Sequence, residues 1–135
     1  MKFDTKIAVV IREDLLIWQK LNVTAFTISG IASLPELIGE PYVDGSDQIY
    51  LPMIRQPITI FQANREQIRA VYEQALSREV PFSIYTEQLF STQDDEANRA
   101  AVREVSSEDL NLVGMALRGR KKIMDKLLKG LSLHP

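Results

Sequence analysis

The sequence predicts an α/β domain in which helices pack on a mainly parallel or mixed sheet. Two observations lead to this class: an unbroken apolar, β-branched run near the start of the chain, and a regular alternation of strand-like and helix-like segments after it. Such alternation is typical of sheets covered by helices. With 135 residues, 45% of them hydrophobic, the chain has the size of one domain with one core, so we expect a single domain over residues 1–135.

The first strand is predicted over residues 6–12, where KIAVVIR is apolar without alternation. An uninterrupted β-branched run fits a strand that is buried on both faces. The next segment, from Leu15 to Leu34, alternates in part like a strand but has the length of a helix. We interpret it as a buried helix from about Asn22, whose side chain could cap the first turn.

Residues 34–57 are predicted to form a long proline-rich insertion or loop, because prolines and glycines recur along them. Within this insertion, VDGSDQIYL at 43–51 suggests a short hairpin or a tight turn. Long loops in compact domains usually carry a function or an interface. The insertion is therefore a candidate lid or dimer contact.

The second half of the chain repeats the alternation. Three further strands are predicted, PITIFQA at 57–63, PFSIY at 81–85 and LNLVGMAL at 110–117, which gives four strands in all.

A helix is predicted over residues 64–80, where Asn64 and Gln67 resemble a capping box. Its apolar stripe is expected to face the core and consists of Ile68, Val71, Tyr72, Ala75 and Leu76.

Two more helices complete the prediction. A short one follows Thr92, which could cap it, and carries Asp94, Asp95 and Glu96 in the first turn, where the helix dipole favours acidic groups. The last helix lies within 118–130, with Gly130 ending it. Its inward side is expected to consist of Ile123, Met124, Leu127 and Leu128.

Composition excludes several kinds of chemistry. The chain has no cysteine, which excludes disulfides, zinc–thiolate sites and thiol catalysis, and its one histidine, His134, is the next-to-last residue. Neither a glycine-rich phosphate loop nor a calcium-loop spacing occurs. We therefore expect no metal site and no cofactor.

Charge and hydropathy narrow the expected partners. The net charge is −2, so no overall field attracts nucleic acid, although a local basic patch could still bind tRNA. The longest apolar runs are far below the roughly twenty residues that span a bilayer. We expect a cytoplasmic protein without membrane association.

One basic cluster has two interpretations. Arg118, Arg120, Lys121 and Lys122 lie where a predicted strand meets a predicted helix, and free backbone N–H groups at such a junction can bind an anion. The same lysines also belong to the polar face that an amphipathic helix shows to water.

Near its start the chain has Lys6, the apolar run Ile7–Ile11, Arg12, Asp14 and Leu15, and Lys20 follows a few residues later. This start resembles the type II peptidyl-tRNA hydrolase family. Similarity continues more loosely through residues 57–85 and 110–131, so that about two-thirds of the chain is covered. The resemblance implies a three-layer α/β/α domain with a four-stranded mixed sheet, commonly a homodimer, and within this fold the chain resembles an uncharacterised bacterial family. Lys20 corresponds to the first lysine of the hydrolase Gly-Lys-Gly-Lys loop.

The catalytic pattern of the hydrolases is not kept. The second lysine of the family loop corresponds to Asn22, its active-site glutamine to Phe26 and its following histidine to Ser29. The acidic residue after the third strand is kept as Glu87, but Gln88–Phe90 replace the Gly-Arg-Thr that follows. An asparagine cannot supply the positive charge that steadies a developing oxyanion. The scaffold is therefore expected to carry an altered site.

Two hypotheses follow. In the first, the protein is a small-ligand-binding or interaction domain, with Trp18 and Phe26 as walls of its cavity. In the second, it hydrolyses an ester or amide, with Lys20 stabilising the oxyanion and Glu87 directing water, which requires both side chains around one cavity. Alternatively, Arg12 and Asp14 are only a structural ion pair and Lys20 is solvated. The residues expected to converge near the end of the sheet are Arg12, Asp14, Lys20, Asn22, Ser29, Thr86 and Glu87.

Overall fold

A computed structural model of the protein describes residues 2–135. It has a mixed α/β fold with a five-stranded sheet, a separate two-stranded hairpin and four α-helices. In chain order the elements are β1 (Thr5–Arg12), α1 (Ile17–Ala32), β2 (Tyr42–Val43), β3 (Ile49–Tyr50), β4 (Ile58–Ala63), α2 (Arg65–Ser77), β5 (Phe82–Thr86), α3 (Asp95–Arg103), β6 (Leu112–Arg120), α4 (Lys121–Leu127) and β7 (Ser132–Leu133).

The large sheet is mixed, as predicted, and its strand order is β5-β6-β1-β4-β7. Strand β1 pairs parallel with β4 and antiparallel with β6, and β6 pairs antiparallel with β5. Strands β1, β4 and β5 therefore run in one direction and end at the same edge of the sheet. This edge is where a site is expected in an α/β fold.

The prediction of four strands is wrong, because β7 adds a fifth. This strand has only two residues and pairs antiparallel with β4, where Leu133 lies opposite Phe61. So short a segment has no readable alternation, and only its partner strand makes it a strand. It follows the turn at Gly130, whose φ of 88° suits glycine.

Helices cover both faces of the sheet, which agrees with the prediction that the first strand is buried on both sides. Ala8 and Val10 of β1 pack in the core beneath α2 and α4. Ile7 and Val9, which point to the opposite face, pack in the core beneath α1. All four side chains are buried.

Helix α1 begins at Ile17, five residues before the predicted start at Asn22. The backbone N–H of Leu16 donates to Gln19 Oε1 at 2.9 Å, which satisfies one end of the helix. The side chain of Asn22 caps nothing, because its Oδ1 accepts a hydrogen bond from the Tyr85 hydroxyl at 3.0 Å. The Asn22 side chain, which we expected to cap the helix, therefore makes a tertiary contact with β5 instead.

Helix α1 lies very close to the sheet at two glycines. A Cβ on Gly114 of β6 would lie 2.1 Å from Val23 Cγ1, and a Cβ on Gly30 of α1 would lie 2.9 Å from the Cβ of Ser83 on β5. No real Cβ is found at such distances from another carbon atom. The absence of a Cβ at these two glycines therefore allows α1 to pack at its short distance from β5 and β6.

Helix α2 confirms the predicted capping box. Asn64 Oδ1 accepts from the Gln67 backbone N–H at 2.8 Å, and Gln67 Oε1 accepts from the Asn64 backbone N–H at 2.9 Å. The helix ends at Ser77, earlier than predicted. Leu76, which we expected in the buried stripe, is 52% exposed, since it lies at the end of the helix beyond the core.

The caps of the two last helices differ from the prediction. Asp94, not Thr92, caps α3, and its Oδ1 accepts from the Ala97 backbone N–H at 2.7 Å. The Thr92 hydroxyl donates instead to the carbonyl oxygen of Leu89 at 3.0 Å. Helix α4 ends at Leu127, before Gly130, because the chain must turn back to form β7.

The insertion contains the expected short hairpin, formed by β2 and β3. Asp44 organises its turn: the carboxylate accepts from the backbone N–H of Ser46 and from the hydroxyl of Tyr50, both at 2.8 Å. These hydrogen bonds, the one from Tyr50 foremost, lower the pKa of Asp44. Among the helices described in residues 2–135, none combines the length and apolar character that a bilayer span requires.

Candidate functional site

The largest depression of the described surface is a groove between α1 and α3. It has a volume of about 710 Å³, and we call it the long groove. Helix α1 forms one wall, α3 forms the other, and β5 forms the floor. Its lining residues are Phe26, Thr27, Ser29, Gly30, Ser83, Ile84, Tyr85, Leu89, Asp95, Asn98, Arg99, Ala100, Val102 and Arg103.

A smaller cavity of about 300 Å³ adjoins the long groove near the start of α1, and we call it the aromatic pocket. The two share Phe26, Tyr85, Leu89, Asp95 and Asn98, so they form one continuous site. The other lining residues of the aromatic pocket are Trp18, Asn22, Phe90, Thr92, Gln93 and Asp94.

Four aromatic rings surround the aromatic pocket. The ring centroids of Trp18 and Phe90 are 5.7 Å apart in an edge-to-face arrangement, and those of Tyr85 and Phe90 are 5.0 Å apart. Phe26 lies 6.2 Å from Tyr85. Trp18 and Phe26 are each 56% exposed, so their rings are available to a ligand. Both residues line this pocket, whereas we expected them to wall a cavity formed by all the converging site residues.

Tyr85 connects the sheet floor to helix α1. Its hydroxyl donates to Asn22 Oδ1, and burial raises the pKa of the phenol, which keeps the proton in place near neutral pH. Because the oxygen of the Asn22 amide is occupied, the amide NH₂ is the group that Asn22 can offer to a ligand. The Ser83 hydroxyl, also in the floor, donates to the carbonyl oxygen of Thr27 at 2.7 Å.

Helix α3 gives the site an acidic end and a basic end. Asp94 and Asp95 lie at its start beside the aromatic pocket, whereas Arg99 and Arg103 line the long groove. Asp95 forms an ion pair with Arg99 one turn further along the helix. Asn98, between the two ends, hydrogen bonds with the Thr92 hydroxyl.

A second polar cluster lies at the carboxyl edge of the sheet, and we call it the edge cluster. Its centre is Arg12, which is 5% exposed. The guanidinium donates to Asp14 Oδ1 at 2.8 Å through Nε and to Asn111 Oδ1 at 2.7 Å through an Nη atom. Asn111 in turn donates to Glu87 Oε2 at 2.8 Å. The edge cluster thus links β1, β5 and β6.

The charge of Arg12 is well compensated in the edge cluster. The hydrogen bond from Arg12, together with its charge, lowers the pKa of Asp14 despite some desolvation. A second Nη atom of Arg12 donates to Asp14 Oδ2 at 3.2 Å, so the pair is bidentate. The geometry is that of a structural ion pair fixing the turn after β1, one of the two interpretations of these residues.

The seven predicted site residues do not converge. Asn22 and Ser29 line the continuous groove, Arg12, Asp14 and Glu87 belong to the edge cluster, and Thr86 is buried at the end of β5. Lys20 is half-buried on the face of α1 that also carries the buried Val23 and Thr27, three and seven residues further along the helix. Across residues 2–135, no ion pair within 4.0 Å joins Lys20 and Glu87, and neither residue lines the groove or the pocket.

Sequence reasoning missed Tyr85, Phe90, Asn98 and the role of Asp94 and Asp95 at the groove. The sequence pattern assigns Tyr85 to a strand and Phe90 to the turn after it, and it assigns the two aspartates to the start of a helix. Only the placement of α3 opposite α1 in the folded chain brings them to one groove, and no local pattern encodes that placement. No three histidine, aspartate or glutamate side chains of residues 2–135 are arranged to hold a metal ion.

The fold and the groove define a small α/β protein with an open, largely apolar groove between α1 and α3. The chain belongs to a family described as protein of unknown function (DUF2000), whose model matches residues 5–135. It is similar to a solved protein of unknown function from Agrobacterium tumefaciens, with 47% identity, a TM-score of 0.95, and coverage of 99% of this chain and 100% of the other. No curated protein matches the chain.

Proposed function

We propose that this protein binds a small amphipathic molecule in the continuous groove between α1 and α3, on an altered scaffold of the type II peptidyl-tRNA hydrolase kind. The observation that carries the proposal is the long groove itself. Its volume of about 710 Å³ lies within the range of roughly 300–1,000 Å³ that small-ligand sites occupy. Its walls are mainly apolar, with a few polar groups at defined positions, which is the usual arrangement of such sites.

The sequence departures from the hydrolase pattern support the same site. Asn22, Phe26 and Ser29 stand where the resemblance places the lysine, glutamine and histidine of the hydrolases. The three lie on one face of α1, three or four residues apart, and all line the groove or the pocket. Compared with the hydrolase pattern, this surface of α1 loses the charge of a lysine and gains the apolar ring of Phe26, and both changes suit an amphipathic ligand.

The alternative hydrolase function receives less support. It needs Lys20 and Glu87 around one water-accessible cavity, but the Glu87 carboxylate accepts a hydrogen bond from Asn111 in the edge cluster, and neither residue lines the groove or the pocket. The carboxylates of Asp94 and Asp95 at the groove, together with the net charge of −2, disfavour a polyanion such as tRNA. We expect the purified protein not to cleave peptidyl-tRNA.

A homodimer is part of the proposal. Large apolar side chains of the insertion are exposed to solvent, including Tyr42, Val43, Ile49 and Leu51. Ile17 and Leu21 on the outer side of α1 are exposed as well. Exposed apolar surface on this scale usually marks an interaction site. A second copy of the chain would cover it without closing the groove, which opens on the other side of α1.

A bulky substitution in the groove tests the binding function. Ala100 is exposed on α3 and lines the long groove, so Ala100→Phe should fill the groove without disturbing the core. We expect the dye 1-anilinonaphthalene-8-sulfonate, titrated by fluorescence, to bind the unaltered protein and to bind this variant at least about tenfold more weakly, because its rings would lose the apolar walls.

The control is Ala70→Phe, which places the same ring at an exposed alanine of α2, outside both cavities. This variant should bind the dye like the unaltered protein. Equal dye affinity of the Ala100→Phe and Ala70→Phe variants would contradict the proposal, because the dye would then bind elsewhere.

A further inference from the structure

We propose that the aromatic pocket recognises a substituted ammonium group, which makes the ligand a cationic amphipath whose apolar body lies in the long groove. This inference rests on the proposed function and names the class of its ligand. It depends on three features of the pocket: its rings, its charge and its position at one end of the groove.

The rings provide the first argument. Trp18, Phe26, Tyr85 and Phe90 all line a cavity of about 300 Å³, and neighbouring centroids are 5.0 to 6.2 Å apart. The faces of aromatic rings carry negative potential and attract a cation, most strongly at tryptophan. An ammonium group with its carbon substituents also keeps apolar contacts with the rings. A pocket built of four rings therefore suits this group better than an anion.

The charge of the pocket provides the second argument. Of the charged side chains of residues 2–135, Asp94 and Asp95 line it, and no lysine, arginine or histidine does. Asp94 uses Oδ1 to cap α3, which leaves Oδ2 free of that contact. Asp95 is paired with Arg99, whereas Asp94 has no ion-pair partner within 4.0 Å among residues 2–135. The pocket is thus complementary to one positive charge.

The position of the pocket provides the third argument. The long groove continues from it along α3, and Leu89, Ala100 and Val102 line this part. A hydrocarbon body attached to the ammonium group would be buried there. Arg103 lines only the long groove, and the charge of Arg99 is compensated by its ion pair with Asp95, so neither arginine lines the proposed position of the cation.

Three probes of equal chain length and different charge test the inference: octyltrimethylammonium, octanoate and 1-octanol, each used below its aggregation limit. Trp18 is the one tryptophan of the chain, and it lines the pocket, so its fluorescence reports occupancy directly. We expect octyltrimethylammonium to bind at least about tenfold more tightly than either of the other two.

The outcomes separate this inference from the proposed function. Tighter binding of octanoate, or equal binding of all three probes, would overturn the ammonium inference and leave the groove as a binding site. If none of the probes binds, the ammonium inference is wrong as well, and the proposed function is then decided by the dye affinities of the Ala100→Phe and Ala70→Phe variants.

Two substitutions make the test specific. Asp94→Asn removes the charge but keeps a residue that caps helices well, so α3 should persist. We expect it to weaken octyltrimethylammonium binding about fivefold and to leave 1-octanol binding unchanged, since only the cation interacts with the charge. Trp18→Leu keeps apolar bulk and removes the ring, and calorimetry should show a similar loss for the cation alone.

The matched control is Glu96→Gln, which removes a charge from the same first turn of α3 outside both cavities. It should leave the affinity for the cation unchanged. If Glu96→Gln weakens binding as much as Asp94→Asn does, the effect is one of overall charge, and the assignment of the pocket is wrong.

Discussion

At the scale of single residues, tertiary partners determine which hydrogen bonds a polar side chain makes. Arg12 is almost fully buried, and its guanidinium reaches Asp14, Asn111 and the carbonyl oxygen of Leu112. A buried charge is tolerated when such partners surround it. The spacing of Arg12 and Asp14 allowed an ion pair to be predicted, whereas Asn111 lies 99 residues away and no sequence pattern could connect it to Arg12.

Replacing Asp14 by asparagine should destabilise the protein by about 1 kcal/mol at neutral pH, because Arg12 loses a charged partner that is itself largely exposed. Contact with Arg12 lowers the pKa of Asp14 in the folded state. The carboxylate therefore stabilises the fold above the unfolded pKa of about 4, and this contribution is lost as the pH falls through the folded pKa.

Urea unfolding of the unaltered protein and of Asp14→Asn, measured from pH 7 down to pH 3, checks this prediction. The difference between their free energies of unfolding should shrink as the pH falls. A difference that stays constant over this range would show that the charge of Asp14 does not contribute.

For helices and strands, the sequence pattern correctly predicted the features that depend on local interactions. The capping box of Asn64 and Gln67 and the two-sided burial of β1 are local properties, and both predictions are confirmed. The Asn22 side chain, which we expected to begin α1 as its cap, bonds to Tyr85 instead, and β7 exists through its pairing with β4. The sequence therefore predicted a wrong start for α1 and did not predict β7.

The close packing of α1 on the sheet gives a prediction at this scale. Gly114→Ala should lower the free energy of unfolding by about 1–3 kcal/mol, because the new Cβ would overlap Val23 Cγ1 and force α1 outward. The groove should change shape with it, since α1 is one of its walls.

A double-mutant cycle isolates the contact. Adding Val23→Ala to Gly114→Ala should recover part of the loss, so that the double variant is more stable than the sum of the single effects predicts. Strict additivity of the two substitutions in denaturant unfolding would mean that the overlap is relieved elsewhere.

For the whole molecule, the class of fold could be predicted but the site could not. Alternating strands and helices indicated a mixed sheet covered by helices, and the structure confirms it. Of the predicted site residues, Asn22 and Ser29 line the groove. The others were expected to join them near the end of the sheet, but Arg12, Asp14 and Glu87 form the edge cluster instead, and neither Lys20 nor Thr86 lines the groove or the pocket.

The exposed insertion gives a prediction about assembly. We expect the protein to form a dimer in light scattering, and Leu51→Glu to shift it towards the monomer, because this side chain is 86% exposed and a charge there would have to be buried in the interface. Leu76→Glu, at an exposed leucine of α2, should leave the dimer intact. A monomeric unaltered protein at micromolar concentration would contradict a dimer.

The claim that the groove between α1 and α3 is the binding site is tested most directly by a ¹H–¹⁵N NMR titration of the unaltered protein with octyltrimethylammonium. We predict that the signals that shift first and furthest are the indole N–H of Trp18 and the side-chain amides of Asn22 and Asn98, which line the aromatic pocket. Shifts confined to the hairpin of β2 and β3, or to the edge cluster around Arg12 and Asn111, would contradict the account.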